Sequence, residues 1–410
     1  MKTLTLPIRP HVNQKPLIRY KTRFNVLAGG RRFGKTESEK LGDILRVMEG
    51  QTVWWMNPTF DNTTESWLDF LNFFQQFVPR DGINKSRREI ITPTGGKLRM
   101  LGADNFKRGS GINHVSIDEA AFMNLAELWD YQLRPMLLES KGSATFLSST
   151  NGRNYFWQLF NMGLDPSQPD WSSWHFTSYD NPLLDPKEID DIKRNTPERV
   201  FLQEYMAEFL DDGGAVFRNL KACIYGDAIK QSRNPVVIGV DWARYNDYTV
   251  ITVIDTSSQQ VVEIDRFNQI DWTLQRSRLE ALCSRYDVRS IYAETNSIGE
   301  PNIEELSKSG LPIHGFTTTA SSKQQAINSL ALAFEQEDIG IPSDPTLLGE
   351  LQAYTLERLP SGNFRYTAPA GMHDDMVMSL ALAWHGVNNS NQMQYIEMPD
   401  WFYDDTGHSW

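Results

Sequence analysis

The sequence predicts an α/β fold made of two domains, and three observations support this. The chain has 410 residues, which suits two ordinary domains better than one. In the first half, short apolar runs alternate with helix-like segments, which indicates a mostly parallel sheet. The second half opens with three consecutive strand-like runs, whose simplest arrangement is an antiparallel meander.

The composition excludes several classes of protein. Hydrophobic residues make up 40% of the chain and charged residues 22%, as expected for a globular protein with a sizeable core. No apolar run reaches the roughly 18 residues of a membrane span, and residues 1–24 lack the apolar segment of a signal peptide. Cys223 and Cys283 offer neither a zinc cluster nor a disulfide framework, and they fit a reducing cytoplasm.

The charge is negative overall but uneven along the chain. A net charge of −12 argues against a protein that passively coats DNA. Residues 1–40, however, hold ten Lys or Arg against two Glu. Local basic patches of this kind could bind DNA weakly and with strong salt dependence, although a solvated surface or a phosphate site explains each single cation better than a DNA contact does.

The first half contains a predicted parallel sheet followed by an irregular segment. Residues 161–200 are rich in Pro, Asn, Asp and Ser and are expected to form a lid or linker. A helix over 196–210 is expected next, with Thr196 as its N-cap and Pro197 at its first position. The predicted strands are 24–28, 53–57, 97–101, 114–118 and 144–150, and the earlier helices are 36–49 and 66–78.

The second half is expected to fold separately. We predict an N-terminal domain over 1–212, with a lid at about 161–212, a linker at 213–234, a second domain at 235–390 and an acidic tail at 391–410. The predicted strands of the second domain are 236–241, 248–255, 260–267, 290–294 and about 313–316, and its helices include 274–286, 322–337 and a final one that opens at 374.

A Gly-rich segment at 29–36 fits the phosphate-binding pattern G-x-x-x-x-G-K-[ST], between a predicted strand and a predicted helix. Glycines let the backbone N–H groups wrap the phosphates of a nucleotide. Lys35 would reach the β- and γ-phosphates, and the Thr36 hydroxyl would bind Mg²⁺. A chance Gly-rich turn is the alternative. The predicted nucleotide-binding residues of this loop are Gly29, Gly30, Arg31, Arg32, Gly34, Lys35 and Thr36.

A P-loop needs an acidic partner on a neighbouring strand, and residues 114–118 supply one. Asp118 would hold Mg²⁺ through water, and Glu119 would polarise the attacking water. Ser116 interrupts the usual apolar run, so an Asp-Glu pair at a solvent-facing strand end remains the alternative. Candidates for stabilising the transition-state charge are Arg31, Arg32, Arg108 and Arg153, which the sequence does not rank.

Four carboxylates of the second half are placed where they could meet. Asp241 and Glu294 each end an apolar strand, and Asp374 and Asp375 open the final helix. Phosphodiester cleavage by two metal ions needs hard oxygen ligands that hold two Mg²⁺ or Mn²⁺ ions about 4 Å apart. Simple helix capping is the alternative for the last two acids. Asp247 and His373 are close by in the sequence and are either supporting or structural groups.

The whole pattern resembles the large subunit of tailed-phage terminase, the DNA-packaging motor, over roughly residues 10–390. The resemblance implies a RecA-like P-loop ATPase domain of the ASCE group, followed by an RNase H-like, RuvC-like nuclease domain. The segments that carry it are HVNQ (11–14), AGGRRFGKT (28–36), SIDEA (116–120), SSTNGRNYFWQLF (148–160), TSYDNPLL (177–184), GVDWARYNDYT (239–249), YAETN (292–296) and HDDMVMSLALAW (373–384).

The resemblance also implies roles for individual residues. Gln14 would contact adenine, and Ser149, Thr150 and Asn151 would couple hydrolysis to domain movement. The nuclease metals would be bound by Asp241, Glu294 and Asp374, with Asp375 adjacent. Implied cofactors are ATP and Mg²⁺ or Mn²⁺ at both sites.

Partners implied by the same resemblance are double-stranded DNA, the portal protein, a small terminase subunit and other copies of the chain in a ring, commonly a pentamer. Such a protein would act in the host cytoplasm, docked transiently on the procapsid, and would be absent from the mature virion. Two competing hypotheses are a host-type DNA repair or transposition ATPase-nuclease and a scaffold with a dead nuclease. The acid order Asp, Glu, Asp and the presence of every expected acid count against them.

Overall fold

A computed structural model describes residues 9–106, 111–210, 215–227, 231–243, 247–295, 299–358, 364–368 and 373–392. The chain divides into two compact units. The first unit comprises Met1–Gly213 and Glu357–Arg365, and the second comprises Gly214–Leu356 and Tyr366–Trp410. Among the described residues, no helix combines the length and the apolar character that crossing a membrane requires.

The first unit is an α/β domain built on one sheet. Its strands are β1 (Phe24–Gly29), β2 (Thr52–Asn57), β3 (Ile83–Asn84), β4 (Glu89–Ile91), β5 (Lys97–Gly102), β6 (His114–Asp118), β7 (Ser143–Ser148) and β8 (Trp171–Phe176). Its helices are α1 (Lys15–Ile18), α2 (Lys35–Met48), α3 (Thr64–Phe74), α4 (Leu125–Glu127), α5 (Arg134–Met136), α6 (Tyr155–Leu164), α7 (Pro186–Arg194) and α8 (Glu198–Glu204).

The eight strands lie in the order β3-β4-β5-β2-β6-β7-β1-β8. Six strands that follow one another in the sheet pair in parallel, as predicted: β5, β2, β6, β7, β1 and β8. The short β3 and β4 extend the sheet by antiparallel pairing, β3 with β4 and β4 with β5. In β1 and β6 every residue is buried, which is typical of strands covered on both faces. The carboxyl ends of β1, β6 and β7 therefore lie side by side at one edge of the sheet, where parallel α/β folds bind ligands.

Two predictions for residues 161–212 are wrong in detail. The segment is not irregular throughout, because β8 joins the sheet beside β1 and α7 forms after Asp185, whose side chain caps it. The helix predicted over 196–210 spans only Glu198–Glu204, and its N-cap is Pro197, not Thr196. The backbone leaves the helical conformation because Ala207 takes a φ of 54° and its carbonyl oxygen lies 3.1 Å from His175 Nε2.

The second unit contains a five-stranded mixed sheet. The strands that lie within this unit are β9 (Ile224–Gly226), β10 (Val236–Asp241), β11 (Thr249–Asp255), β12 (Val261–Phe267), β13 (Val288–Glu294), β14 (Ile313–Phe316) and β15 (Ile341–Pro342). Strands β16 (Thr355–Arg358) and β17 (Phe364–Thr367) form a separate pair, and each contains residues assigned to both units. Its helices are α9 (Trp272–Cys283), α10 (Gly299–Lys308), α11 (Ala320–Gln336), α12 (Pro345–Ala353) and α13 (Asp375–Gln392).

The main sheet has the order β12-β11-β10-β13-β14. The pairs β10–β11 and β11–β12 are antiparallel, which confirms the predicted meander, whereas β13 and β14 continue the sheet in parallel. The segment 213–234, predicted to be a linker, contains β9, which pairs with β15. The predicted tail at 391–410 lies outside the described residues after 392.

Helix α13 is held directly against β10 at Gly239. A Cβ atom on Gly239 would lie 2.1 Å from the carbonyl oxygen of Ser379 and 2.4 Å from the amide nitrogen of Ala383. Ser379 Oγ also donates a hydrogen bond of 3.0 Å to the Gly239 carbonyl. The absence of a side chain at this position lets the helix approach the strand closely, so that the acids at the strand end and the helix start lie near each other.

We expect Gly239→Ala to destabilise the second unit by about 1–3 kcal/mol, because an added methyl group would overpack this contact. Gly349→Ala is the matched control, since nothing lies within 4 Å of a Cβ atom there and alanine favours a helix. Thermal unfolding of the two variants measures the difference. Equal melting temperatures for Gly239→Ala and the wild type would contradict the close contact.

Candidate functional site

The predicted phosphate-binding loop connects β1 to α2, as the sequence pattern requires. Arg32 has a φ of 60° and Gly34 a φ of 97°, so both lie in the left-handed region. A Cβ atom on Gly34 would lie 2.3 Å from Gln14 Nε2, so this close approach also requires glycine. The loop therefore has the sharply turned backbone that a phosphate-binding loop needs.

A cavity of about 400 Å³ opens at this loop. It is lined by Lys35, which is only 9% exposed, and by Thr36, Asp118 and Glu119. Its other described lining residues are Arg32, Gly34, Glu37, Lys40, Asn57, Pro58, Asn62, Glu65, Ser66 and Phe122. The cavity therefore contains both the loop and the acidic pair that the sequence predicted.

Asp118 ends β6 and faces Thr36. The Thr36 hydroxyl oxygen is 3.3 Å from Asp118 Oδ2, so the two oxygens are close enough to serve one cation. Burial raises the pKa of Asp118 to about 7, the neighbouring charge of Glu119 adds to this, and the charge of Lys35 opposes it. A cation at this position would relieve that destabilisation, and these hard oxygen donors fit Mg²⁺.

Glu119 follows Asp118 in a constrained conformation. Its φ of 53° is in the left-handed region, which is uncommon for a residue with a side chain. Backbone strain of this kind often occurs at functional sites. Ser148 Oγ, at the end of β7, lies 3.3 Å from Glu119 Oε2 and orients the carboxylate. The carboxylate group is thus fixed beside the cavity by the next strand of the sheet.

The three predicted coupling residues lie directly after β7. Ser149 is buried, and Thr150 Oγ1 donates a 2.6 Å hydrogen bond to the carbonyl oxygen of Glu208. Asn151 Nδ2 lies 3.4 Å from the carbonyl oxygen of Ala121, just past the acidic pair. They join the end of β7 to the segment after α8 and to the loop after Glu119.

The structure distinguishes the candidate arginines. Arg32 lines the cavity, whereas Arg31 forms an ion pair with the buried Glu204. Arg153 lies over the ring of Trp157, with its guanidinium carbon 5.5 Å from the ring centroid. Arg108 lies outside the described residues.

The polar residue in the middle of β6 has a structural explanation. Ser116 Oγ lies 2.9 Å from Glu39 Oε1 and 2.8 Å from Asp43 Oδ2, both fully buried on α2. Arg46 Nη1 lies 3.0 Å and 2.8 Å from the same two carboxylates, and His114 Nε2 lies 3.1 Å from Glu39 Oε1. These contacts join the helix after the phosphate loop to the strand that carries Asp118.

This buried network was not among the features predicted from the sequence. Burial raises the pKa of Asp43 to about 8, and the nearby charge of Glu39 adds to it. Burial lowers the pKa of His114 to about 4, and Arg46 adds to it, so the imidazole is neutral. The signal was available, because Glu39, Asp43 and Arg46 recur at helical spacing on one face and Ser116 interrupts a buried strand.

The four predicted nuclease acids are brought together at one end of the second sheet. Asp241 and Glu294 end the neighbouring parallel strands β10 and β13, and their side chains share a hydrogen bond. Burial raises the pKa of Asp241 well above its usual range, and the charges of Glu294, Asp375 and Asp374 add to it. Converging acids of this kind form a cation-binding arrangement.

Asp374 and Asp375 have different surroundings at the start of α13. Asp374 Oδ2 accepts a 3.0 Å hydrogen bond from Lys323 Nζ, and Asp375 Oδ2 accepts one of the same length from the Tyr248 amide. Burial raises the pKa of Asp375. Lys323 was not a predicted site residue, and its position on α11, far away in the sequence, gave no local signal.

Asp247 and His373 also lie at this cluster. His373 Nδ1 lies 3.2 Å from Asp247 Oδ1 and 3.7 Å from Asp375 Oδ2. One ligand atom from each of the three residues lies within 4.8 Å of the others, which is close enough to share an ion. The acid cluster therefore extends beyond the four predicted residues.

These two arrangements define the class of protein: a P-loop ATPase domain followed by an RNase H-like nuclease domain. The model for the N-terminal part of T4likevirus-type terminase large subunits matches residues 27–222, and the terminase RNaseH-like domain model matches residues 238–384. The chain belongs to the family of terminase large subunits.

Relatives and a solved structure agree with this assignment. The large terminase subunit of Thermus virus P23-45 is 28% identical over 92% of this chain and 88% of its own length. That of Escherichia phage T5 is 25% identical over 67% of this chain and 66% of its own. The solved large terminase of a thermophilic bacteriophage, at 12% identity, shares the fold with a TM-score of 0.55 over 92% of this chain and 98% of its own. The function is therefore viral genome packaging with ATPase and nuclease activities, not host DNA repair.

Proposed function

We propose that the chain uses ATP hydrolysis in its first unit to move double-stranded DNA into a procapsid, and that its second unit cuts concatemeric DNA before and after packaging. The observation that carries the proposal is the presence of two separate reaction centres. One is a phosphate-binding loop facing Asp118. The other is the cluster of acids around Asp241.

In the ATPase centre, Lys35 would bind the β- and γ-phosphates, and the amides of the loop would wrap them. Thr36 and Asp118 would hold Mg²⁺, a role supported by the 3.3 Å separation of their oxygens. Glu119 would orient the attacking water, since Ser148 keeps its carboxylate beside the cavity. Ser149, Thr150 and Asn151 would transmit hydrolysis to the rest of the unit.

In the nuclease centre, Asp241, Glu294 and Asp374 would hold Mg²⁺ or Mn²⁺, with Asp375 beside them. Divalent ions bound there would supply an activated water and charge stabilisation on the leaving oxygen. Lys323 would limit repulsion among the acids, because its ammonium group pairs with Asp374. Burial and the neighbouring acids raise the pKa of Asp241, so a bound cation would have to displace the proton that the folded protein favours there.

We further propose that copies of the chain form a ring, commonly a pentamer in this family, on the portal protein of the procapsid, supplied with DNA by a small terminase subunit. The protein would act in the host cytoplasm and leave before the virion matures. The proposal of these partners rests on family membership. Each copy in the ring would contribute one phosphate-binding loop and one cluster of acids.

Removal of divalent metal tests the proposed chemistry directly. With plasmid DNA and the full chain, Mg²⁺ or Mn²⁺ is expected to give cleavage and ATP turnover, and excess EDTA is expected to abolish both. Gel electrophoresis and phosphate release measure the two activities. DNA cleavage that persists in EDTA would rule out the metal mechanism of the second unit.

A further inference from the structure

The outward-facing side of the phosphate-binding loop is held by side chains from two other segments. One is the turn at residues 11–14 before α1, and the other is the turn at residues 177–181 after β8. Each of four consecutive loop carbonyl oxygens accepts a side-chain hydrogen bond: Arg31 from Ser178 Oγ (2.6 Å), Arg32 from Asn181 Nδ2 (2.7 Å), Phe33 from His11 Nε2 (3.0 Å) and Gly34 from Gln14 Nε2 (2.8 Å). The Gly34 carbonyl also accepts a 3.0 Å hydrogen bond from the Ser38 amide of α2.

The donors are fixed in place by burial and by each other. Gln14 is 5% exposed, and its Oε1 accepts a 3.0 Å hydrogen bond from the amide of His11. Asn13 Nδ2 donates a 2.6 Å hydrogen bond to the carbonyl oxygen of Asp180, which joins the two turns. His11 carries its ring proton on Nε2, because a carbonyl oxygen can only accept. Both ends of the Gln14 amide are thus engaged with the protein.

These contacts set the direction of the loop amides. In a trans peptide the carbonyl of one residue points opposite to the N–H of the next, so carbonyls held outward turn the following N–H groups inward. The carbonyls of Arg31, Phe33 and Gly34 therefore orient the amides of Arg32, Gly34 and Lys35 toward the phosphate position. The amide of Phe33, which follows the Arg32 carbonyl, donates instead to the Gly30 carbonyl (3.2 Å). Two residues of this loop have a positive φ, a conformation that needs outside support. Donors oriented before the ligand arrives reduce the ordering cost of binding.

We propose that Gln14 is a positioning residue for the phosphates: through the Gly34 carbonyl it orients the loop amides, and this effect does not depend on the base of the nucleotide. Ser178 performs the same task at the Arg31 carbonyl, which precedes the Arg32 amide. The inference rests on the proposed ATPase function of the loop and deepens it. It differs from the adenine contact that family resemblance implies for Gln14, because that role affects adenine nucleotides alone.

The test compares ligands with and without a base in the full-length protein. ATP turnover is measured for the wild type, Gln14→Ala and Ser178→Ala, with ADP, GDP and inorganic tripolyphosphate as competitive inhibitors. We expect the KM for ATP and all three inhibition constants to rise by the same factor, about tenfold, in both variants, as the loss of one well-placed hydrogen bond predicts. Val12→Ala is the matched control, since Val12 lies in the same turn with a side chain 65% exposed.

Three outcomes would overturn the inference. Weaker ATP and ADP binding in Gln14→Ala, with tripolyphosphate inhibition unchanged, would show that Gln14 reads the base. A lower kcat at unchanged KM and inhibition constants would show a merely structural role, since partial unfolding only reduces the active fraction. Constants equal to those of the wild type would show that the contact is idle. A wild type without ATP turnover would instead contradict the proposed function itself.

Discussion

Lys35→Ala is expected to reduce ATP turnover at least about 100-fold, because removing one well-placed donor from a charge-stabilising site typically costs this much. Lys35 is buried at the wall of the cavity, where it faces Asp118 and Glu119. Its ammonium group would be the main positive charge on the β- and γ-phosphates, and alanine leaves no substitute at the same point. Phosphate release with purified full-length protein measures the loss.

Lys97→Ala is the matched control, because this lysine is exposed on β5 of the same sheet. It is expected to keep wild-type turnover. Metal-dependent DNA cleavage should survive in Lys35→Ala, since the acids of the second unit are untouched. Turnover within a factor of about ten of the wild type would contradict the assignment of the loop, because one lost charge at this position should cost more.

Asp241→Ala is expected to abolish DNA cleavage, by at least about 100-fold, while ATP turnover stays at the wild-type level. Asp241 ends the central strand β10 and is in contact with Glu294 and near both aspartates of α13. Its loss removes an acid that interacts with Glu294, Asp374 and Asp375. Conversion of supercoiled plasmid to nicked and linear forms in Mg²⁺ measures cleavage, and phosphate release measures turnover in the same preparation.

Asp287→Asn is the control for this second experiment, since its exposed side chain precedes β13, at the opposite end of that strand from Glu294. It should cut DNA normally. Cleavage that survives in Asp241→Ala, or ATP turnover lost together with cleavage, would contradict two separate centres.

The acid cluster also fixes the sign of a stability effect. The folded protein raises the pKa of Asp241, first by burial, so the folded state binds the proton more tightly than the unfolded state. The stability that this proton contributes is present at pH values below the unfolded pKa and is lost as the pH rises through the folded pKa. Asp241→Asn should therefore melt at a higher temperature than the wild type at neutral pH without metal, and should gain less from added Mg²⁺.

Local patterns were enough to predict the parts of the fold that place the reaction centres. The Gly-rich loop predicted the junction of β1 and α2, because both glycine and lysine are required there by short-range chemistry. Apolar runs ending in Asp118, Asp241 and Glu294 marked three strand ends correctly. Acids at the ends of neighbouring parallel strands lie close together, so their positions at strand ends were enough to predict that Asp241 and Glu294 could meet.

The features that sequence analysis missed depend on contacts between distant segments. Strand β8 is mostly only partly buried and sits at the edge of its sheet, so its apolar signal is weak. Helix α8 ends early because Tyr205 and Ala207 offer their carbonyl oxygens to Ser178 and His175. Ser116 interrupts the apolar pattern of β6, and only its hydrogen bonds to Glu39 and Asp43 on α2 explain why a polar residue is there. Lys323 comes from a helix whose own pattern gives no reason to place it beside Asp374.

The end of α8 and the residues after it contact both the phosphate loop and Thr150, the residue after β7 to which a coupling role is assigned in the proposal. The carbonyl oxygen of Glu204 accepts a hydrogen bond of 2.7 Å from the amide of Arg31 in the phosphate loop. Four residues further on, the carbonyl oxygen of Glu208 accepts the hydroxyl hydrogen bond of Thr150. If phosphate release shifts the loop backbone, residues 204–208 must move with it and displace the end of β7, or one of these two hydrogen bonds must break. The phosphate loop and Thr150 can therefore move independently only as far as the five residues 204–208 can deform.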